Sequence, residues 1–353
     1  MNKGVQQDDR PARAIGLLSG GLDSRLAVKL LVDQGIEVEA LSYLTLFCTC
    51  TSKSSCRLEA KKAAEDLGVP IKVINTTEEF LRIIEKPKHG YGKNMNPCID
   101  CRLLMFKKAG EYMRESGAAF VFTGEVVGER PMSQRLDAMR LIEKESGLSG
   151  YILRPLSAKL LPPTVPEEKG LVDRDKLMDI RGRSRKPQMA LAEELGMKDY
   201  PCPAGGCLLT DAGFSARLRD LLEHEGRLTV PEVKLLKHGR HFRLSPSAKA
   251  VVGRDQADNA KLELLAREGD WLMKAVEVEG PLTLVRGEAS DADLNLAARL
   301  TARYGQGRDR DEVTVQARRL GPARAGAPAE LRETRNLEVS PHLGEADLRA
   351  RRL

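Results

Sequence analysis

No stretch of the 353 residues stays apolar and uncharged over the ~18 positions that a membrane-spanning helix needs. The first residues, MNKGVQQDDRPAR, lack the apolar core of a secretory leader. Internal repeats are missing, cysteine stops at Cys207 and lysine stops at Lys274. Beyond Lys274, 13 Arg stand against 13 Asp+Glu, so the whole net charge of +6 lies upstream. A membrane span and a repeat array are thereby excluded, and a cytoplasmic address is expected. What is present is ordinary: 41% hydrophobic residues and a net charge small for the length, which exclude global disorder. The length allows two or three domains. Seven cysteines, an odd number in a long chain, argue against a secreted disulfide framework. They fall in three tight groups, and in a reducing compartment such grouping points to metal binding or thiol chemistry.

The first 160 residues alternate short buried strands with helices, as a parallel α/β domain does. Strands are expected over 14–18, 37–45, 71–75, 120–123 and 151–153. Helices are expected over 22–34, 57–67, 78–85 and 101–115. A Pro-rich connector at 161–166 opens a helical extension that closes in Pro201-Cys202-Pro203-Ala204-Gly205-Gly206-Cys207, a tight turn-former. Residues 211–290 read as a small α+β module. Residues 291–353 read as a weakly ordered tail with one short strand near 312–316. Four segments result: 1–160, 161–210, 211–290 and 291–353.

Between the first strand and helix lies Ser19-Gly20-Gly21-Leu22-Asp23-Ser24. Two glycines let backbone approach phosphates, and the helix N-terminus behind them offers free N–H groups and a favourable dipole. Ser19 and Ser24 add hydroxyls, and Asp23 suits a Mg²⁺ that bridges phosphates. No Walker lysine follows, so a kinase-type loop is excluded. On bare shape a plain strand-end turn would serve equally well.

The hexapeptide resembles the SGGxDS signature of the PP-loop ATP pyrophosphatases. That resemblance implies an adenine nucleotide alpha hydrolase-like parallel sheet with helices on both faces. It also implies cleavage of ATP to AMP and pyrophosphate, with Ser19 to Ser24 on the nucleotide and Asp23 catalytic. A second segment, Thr123-Gly124-Glu125 through Ser133-Gln134, resembles the TGExxGQxxSQ run of tRNA 4-thiouridine synthetases (ThiI), with one extra residue and Glu129 where Gln is usual. Gly124 and Gln134 are the nucleotide contacts so implied. Leu153-Arg154-Pro155-Leu156 resembles the RPL strand end of the same family. The likeness covers roughly residues 14 to 210, lacks that family's N-terminal tRNA-holding domains, and leaves the MnmA-type 2-thiouridine enzymes close. Arg102 is a candidate for neutralising phosphate or AMP.

Cys98 and Cys101 form a CxxC at a helix start, where the dipole favours thiolate. Family resemblance implies that they and one distant cysteine bind a 4Fe-4S cluster with an open iron. Cys207 is the expected third ligand and sulfur carrier, with Cys202 as its substitute. Zn²⁺ on Cys98, Cys101, Cys202 and Cys207 satisfies the spacing too, and free persulfide thiols are a third reading. Cys48, Cys50 and Cys56 suggest a second thiol site.

Two acid-free basic runs are candidate RNA contacts: Arg181, Arg183, Arg185 and Lys186, then Lys237, Arg240 and Arg243 with Phe242 available for stacking. Gly239-Arg240-His241-Phe242 and Val252-Gly253-Arg254-Asp255 resemble the small RNA-binding module of NFACT proteins. The expected function is an ATP-dependent tRNA sulfurtransferase. Its partners would be tRNA and a sulfur donor (hydrosulfide or a persulfide carrier), with a homodimer open and no membrane. The rivals are an adenylating amide ligase and a zinc-stabilised RNA-binding protein without catalysis.

Overall fold

Five strands with apolar residues on both faces build the first sheet: β1 (Arg13–Leu17), β2 (Glu37–Leu44), β3 (Ile71–Asn75), β4 (Phe120–Thr123) and β5 (Ile152–Leu153). They run parallel in the order β3-β2-β1-β4-β5. Parallel strands need helical crossovers on both faces, so both sets of alternating side chains are buried in β4 and β5 and nearly all of β1, while edge strand β3 stays partly exposed. Helices α1 (Leu22–Val32) and α2 (Cys56–Asp66) cover one face, where Ala14, Leu18, Phe120 and Phe122 meet Ala27, Leu31 and Ala64. Helix α3 (Thr77–Glu85) follows β3. Helices α4 (Cys98–Ser116) and α5 (Leu136–Ser146) cover the other face, where Ile15, Leu41 and Val121 meet Phe106 and Ile142. Short α6 (Val165–Glu168) and α7 (Lys186–Glu194) complete the unit. Strand order reverses between β1 and β4, and an α/β sheet opens its ligand crevice at such a switch point, beyond the strands' carboxyl ends.

The computed structural model describes residues 11–48, 56–197, 200, 206–322 and 331–353. They divide into two units, Met1–Thr210 and Asp211–Leu353. The parallel sheet with helices on both faces is as expected. Helix α4 starts at Cys98, three residues before the expected point, and α5 was not foreseen.

The second unit begins with α8 (Ala212–Glu225) and α9 (Val230–Leu235). Strands β6 (Arg240–Ser245), β7 (Ala248–Val252), β8 (Trp271–Ala275), β9 (Thr283–Gly287), β10 (Val313–Leu320) and β11 (Leu331–Val339) form one antiparallel sheet, ordered β11-β10-β8-β9-β7-β6. Helix α10 (Gln256–Leu265) joins β7 to β8, α11 (Asp291–Arg303) joins β9 to β10, and α12 (Glu345–Arg351) ends the chain. Leu294 and Ala298 of α11 pack on Phe242, Trp271, Val285 and Val315. The expectation of a weakly ordered tail over 291–353 is therefore corrected. Those residues supply α11, two strands and α12, because Val313, Val315 and Ala317 alternate inward onto the same core.

Candidate functional site

Chain leaving β1 turns through Ser19–Ser24 into α1. Gly20 has φ +85°, and a Cβ there would fall 2.6 Å from the Glu59 backbone, so glycine alone lets the loop pass α2. The Ser24 hydroxyl donates to the Gly21 carbonyl at 2.9 Å and accepts from the Ser19 N–H at 3.3 Å. Gly124, at the end of β4, meets this loop directly: a Cβ on it would lie 2.4 Å from the Asp23 carbonyl carbon. The two motif segments thus close on one crevice.

Asp23 Oδ1 is buried without a hydrogen-bond partner. Burial raises its carboxyl above the ordinary range, opposed by Arg185, Gln188 and Arg130. Glu129 is raised by burial and by the Asp23 carboxylate, and Arg130, Arg185 and Arg102 oppose the rise. An unpartnered carboxylate oxygen beside a second carboxylate fits a hard divalent cation such as Mg²⁺. Gln134 Oε1 accepts from the Arg130 N–H at 3.0 Å, and its carbonyl accepts from the Gly128 N–H at 2.7 Å. Its side chain therefore braces the 128–134 turn. Arg102 Nε faces Glu125 Oε1 at 3.3 Å, and Glu125 Oε2 accepts from Arg154 Nε at 3.1 Å. Arg154 also pairs with Glu143. Residues of the TGE and RPL segments are thus tied by one buried ionic chain.

Cys98, Cys101 and Cys207 lie within electrostatic reach of one another. Burial pushes Cys101 up to about 12 and Cys207 up to about 11, and it raises Cys98 as well. Arg102 and Arg130 pull Cys98 the other way. Three thiols without imidazole or carboxylate are a soft donor set suited to iron–sulfur ligation. Among the described residues no three His, Cys, Asp or Glu converge as a single bound metal ion requires. Cys202, the substitute ligand, lies outside the described residues, as do Cys50 and the side chain of Cys56.

Cys48 was expected in a separate thiol group. Instead it forms an antiparallel bridge with Cys207, where the Leu208 N–H donates to the Phe47 carbonyl at 2.9 Å. Cys48 is disulfide-bonded. Sequence reading also missed Arg130, an exposed side chain whose charge lowers Asp23 and Glu129 as well as Cys98 and Cys207.

Of the first basic run, Arg181, Arg183 and Lys186 are exposed and Arg185 is half-buried. In the second unit Lys237 is half-buried, and burial with nearby Lys234 lowers its ammonium. Arg240 lies over the Tyr304 ring at 4.7 Å. Both belong to an open cavity of about 820 Å³ with Arg254, Lys274 and Arg308 on its wall. Two readings are corrected here. Arg243 is held by both oxygens of Asp220, at 2.9 and 2.5 Å, which takes up its guanidinium. Phe242 is fully buried in the core and offers no stacking face, because it alternates inward along β6.

Two family models match. Residues 10–159 match the Thiamine biosynthesis protein (ThiI) model, and residues 239–329 match the NFACT protein RNA binding domain. The second match reaches well past residue 290. Over 114 residues the chain is 35% identical to the tRNA-specific 2-thiouridylase MnmA of Sulfurimonas denitrificans, covering 31% of this chain and 33% of that protein. It is 26% identical over 260 residues to the same enzyme of Pseudomonas fluorescens (strain Pf0-1), covering 69% and 64%. The chain therefore spans between a third and two thirds of these relatives. A solved 4-thiouridine synthetase–RNA complex with bound ATP shares 19% identity at a TM-score of 0.34, over 52% of this chain and 51% of that one.

Proposed function

We propose that this chain, a PP-loop nucleotide domain joined to an NFACT-type RNA-binding domain, is an ATP-dependent enzyme that inserts sulfur into a uridine of tRNA. The observation that carries this reading is the closure of the Gly124 segment onto the Ser19–Ser24 loop, with the charge of Arg130 acting on Asp23 and on Cys98 and Cys207 alike. Activation and sulfur delivery then share one site.

A uridine carbonyl oxygen attacks the α-phosphorus of ATP, the bond to the β-phosphate breaks, and pyrophosphate leaves. Backbone amides of Ser19–Ser24 and the α1 N-terminus hold the phosphates. Asp23 and Glu129 are the residues to hold Mg²⁺, which when bound offsets phosphate charge. A sulfur nucleophile then attacks the activated carbon and AMP departs. Cys98, Cys101 and Cys207 are the residues to hold a 4Fe-4S cluster, which when bound supplies an iron site for external hydrosulfide. Cys207, a free thiol beside free Cys98 and Cys101, supports a second route. It takes a sulfur from a persulfide carrier, and the outer sulfur attacks the activated carbon as AMP leaves. A second thiol then attacks the Cys207 sulfur, closing a disulfide and freeing the thiouridine. The cavity with Arg240, Lys274 and Arg254 supports a role of the second unit in holding RNA.

The test is the full chain, purified without oxygen, incubated with ATP, sulfide and unmodified tRNA. We expect pyrophosphate and a thiouridine in equal amounts, both reduced at least ~100-fold in Asp23→Asn. About four irons per chain, lost in Cys98→Ala, would support the cluster, and iron-free activity that requires a persulfide carrier in place of sulfide would support the persulfide. Pyrophosphate formed with ammonia and a carboxylate would favour an amide ligase. RNA binding without any ATP turnover would sink both enzyme readings.

A further inference from the structure

Helix α7 starts outside the segment that matches the ThiI model, yet its first turn reaches the nucleotide loop. The approach is fixed by backbone. Val127 and Arg181 form a parallel bridge, and the Gly182 N–H donates to the Val127 carbonyl at 2.8 Å. Gly182 has φ +83°, so a glycine is needed at that bend. Just before it, the Ser157 hydroxyl donates to the Ile180 carbonyl at 2.6 Å and accepts from the Val127 N–H at 3.0 Å. Beyond the bend, Leu191 and Ala192 of α7 pack on Leu22 and Leu26 of α1.

Four cations occupy this run, but three face solvent and only Arg185 turns inward. One turn later stands Gln188, 0% exposed, its amide turned to the Asp23 carboxyl but with neither Nε2 nor Oε1 in a close hydrogen bond. Its neighbour is Asp23, whose Oδ1 is also unpartnered. A fully buried amide left unpaired beside an unpaired carboxylate is expensive unless a ligand completes the set.

We propose that Arg185 and Gln188 are part of the ATP site, with Arg185 holding the β- and γ-phosphates and, alongside Arg130, receiving the charge of the departing pyrophosphate. When the bond between the α-phosphorus and its bridging oxygen breaks, the electron pair stays on that oxygen, and a guanidinium is the side chain best shaped to stabilise it. Gln188 orients Asp23 through its amide. This rests on the ATP-using reading above, and it takes Arg185 out of the RNA-contacting set.

The experiment measures equilibrium binding of ATP and of AMP, together with tRNA binding, on the full chain and its Arg185→Ala, Arg185→Lys and Gln188→Ala variants. Arg185→Ala is expected to weaken ATP about tenfold or more while AMP, which lacks the distal phosphates, binds as before. Arg185→Lys should recover part of the loss, and tRNA affinity should stay within about twofold. Wild-type ATP affinity in Arg185→Ala overturns the proposal, as does an equal loss of AMP and ATP, or a loss confined to tRNA. If Arg185→Ala does not fold, Arg185→Lys and Arg185→Gln decide by the same ATP-to-AMP ratio. Should the wild type itself fail to bind ATP, the parent reading falls instead, so the two failures are distinguishable.

Discussion

A Cβ on Gly124 would sit 2.5 Å from the Ser24 backbone nitrogen, closer than side-chain carbons approach backbone. Gly124→Ala must push β4 away from the nucleotide loop. Such overpacking costs about 2 kcal/mol of stability, and we expect pyrophosphate release to fall by more than ~100-fold, read in a coupled assay. Gly124 was legible because it belongs to a motif. Arg130 and Gln188 were not, since a lone arginine in a loop and a lone glutamine on a helix leave no spacing signal. Another single residue governs acid behaviour. Burial pushes Asp258 up, but hydrogen bonds from Arg254 and the Gly239 N–H outweigh it and hold the carboxyl at about 2. Its folded value lies below the ordinary 3.8, so the stabilisation is complete above that pH and is lost as pH falls toward 2. Asp258→Asn should cost about 2 kcal/mol at pH 7 and much less at pH 2, measured by urea unfolding.

Elements were read best where both faces of a strand are apolar. The expected spans for β3 and β4 match the observed ones, β2 and β5 are off by a residue at one end, and β1 is shifted by one residue. Helix α5 was overlooked although Ala138, Met139 and Ile142 share a buried face, because it follows directly on a motif segment that reads as loop. Strand β11 failed for the opposite reason. Its run Leu331-Arg332-Glu333-Thr334-Arg335 is charged, and composition suggests disorder, yet it pairs along β10 with one face to solvent. Arg332 pairs with Glu268 and Arg335 with Asp291. Removing residues 313–353 should therefore abolish the cooperative unfolding of the second unit, seen as loss of one calorimetric transition, rather than trim a loose end.

At the scale of the molecule, the parallel sheet in one unit and the antiparallel sheet in the other are separate designs with separate cores. Composition hinted at this, for every cysteine lies in the first unit and the lysine-free stretch in the second. The thiol cluster was legible only as three groups. The pairing of Cys48 with Cys207 needed a fold in which the chain after β2 and the turn at Cys207 run side by side. The chain's single tryptophan, Trp271, is buried in the second unit, with the guanidiniums of Arg335 and Arg319 at 5.1 and 5.8 Å from its ring. Its emission is thus a private reporter of that unit, blind to whatever the parallel sheet does. A red shift on warming dates the melting of the antiparallel sheet alone, and a colourless fluorophore supplied by nature makes fluorescent labelling of that half unnecessary.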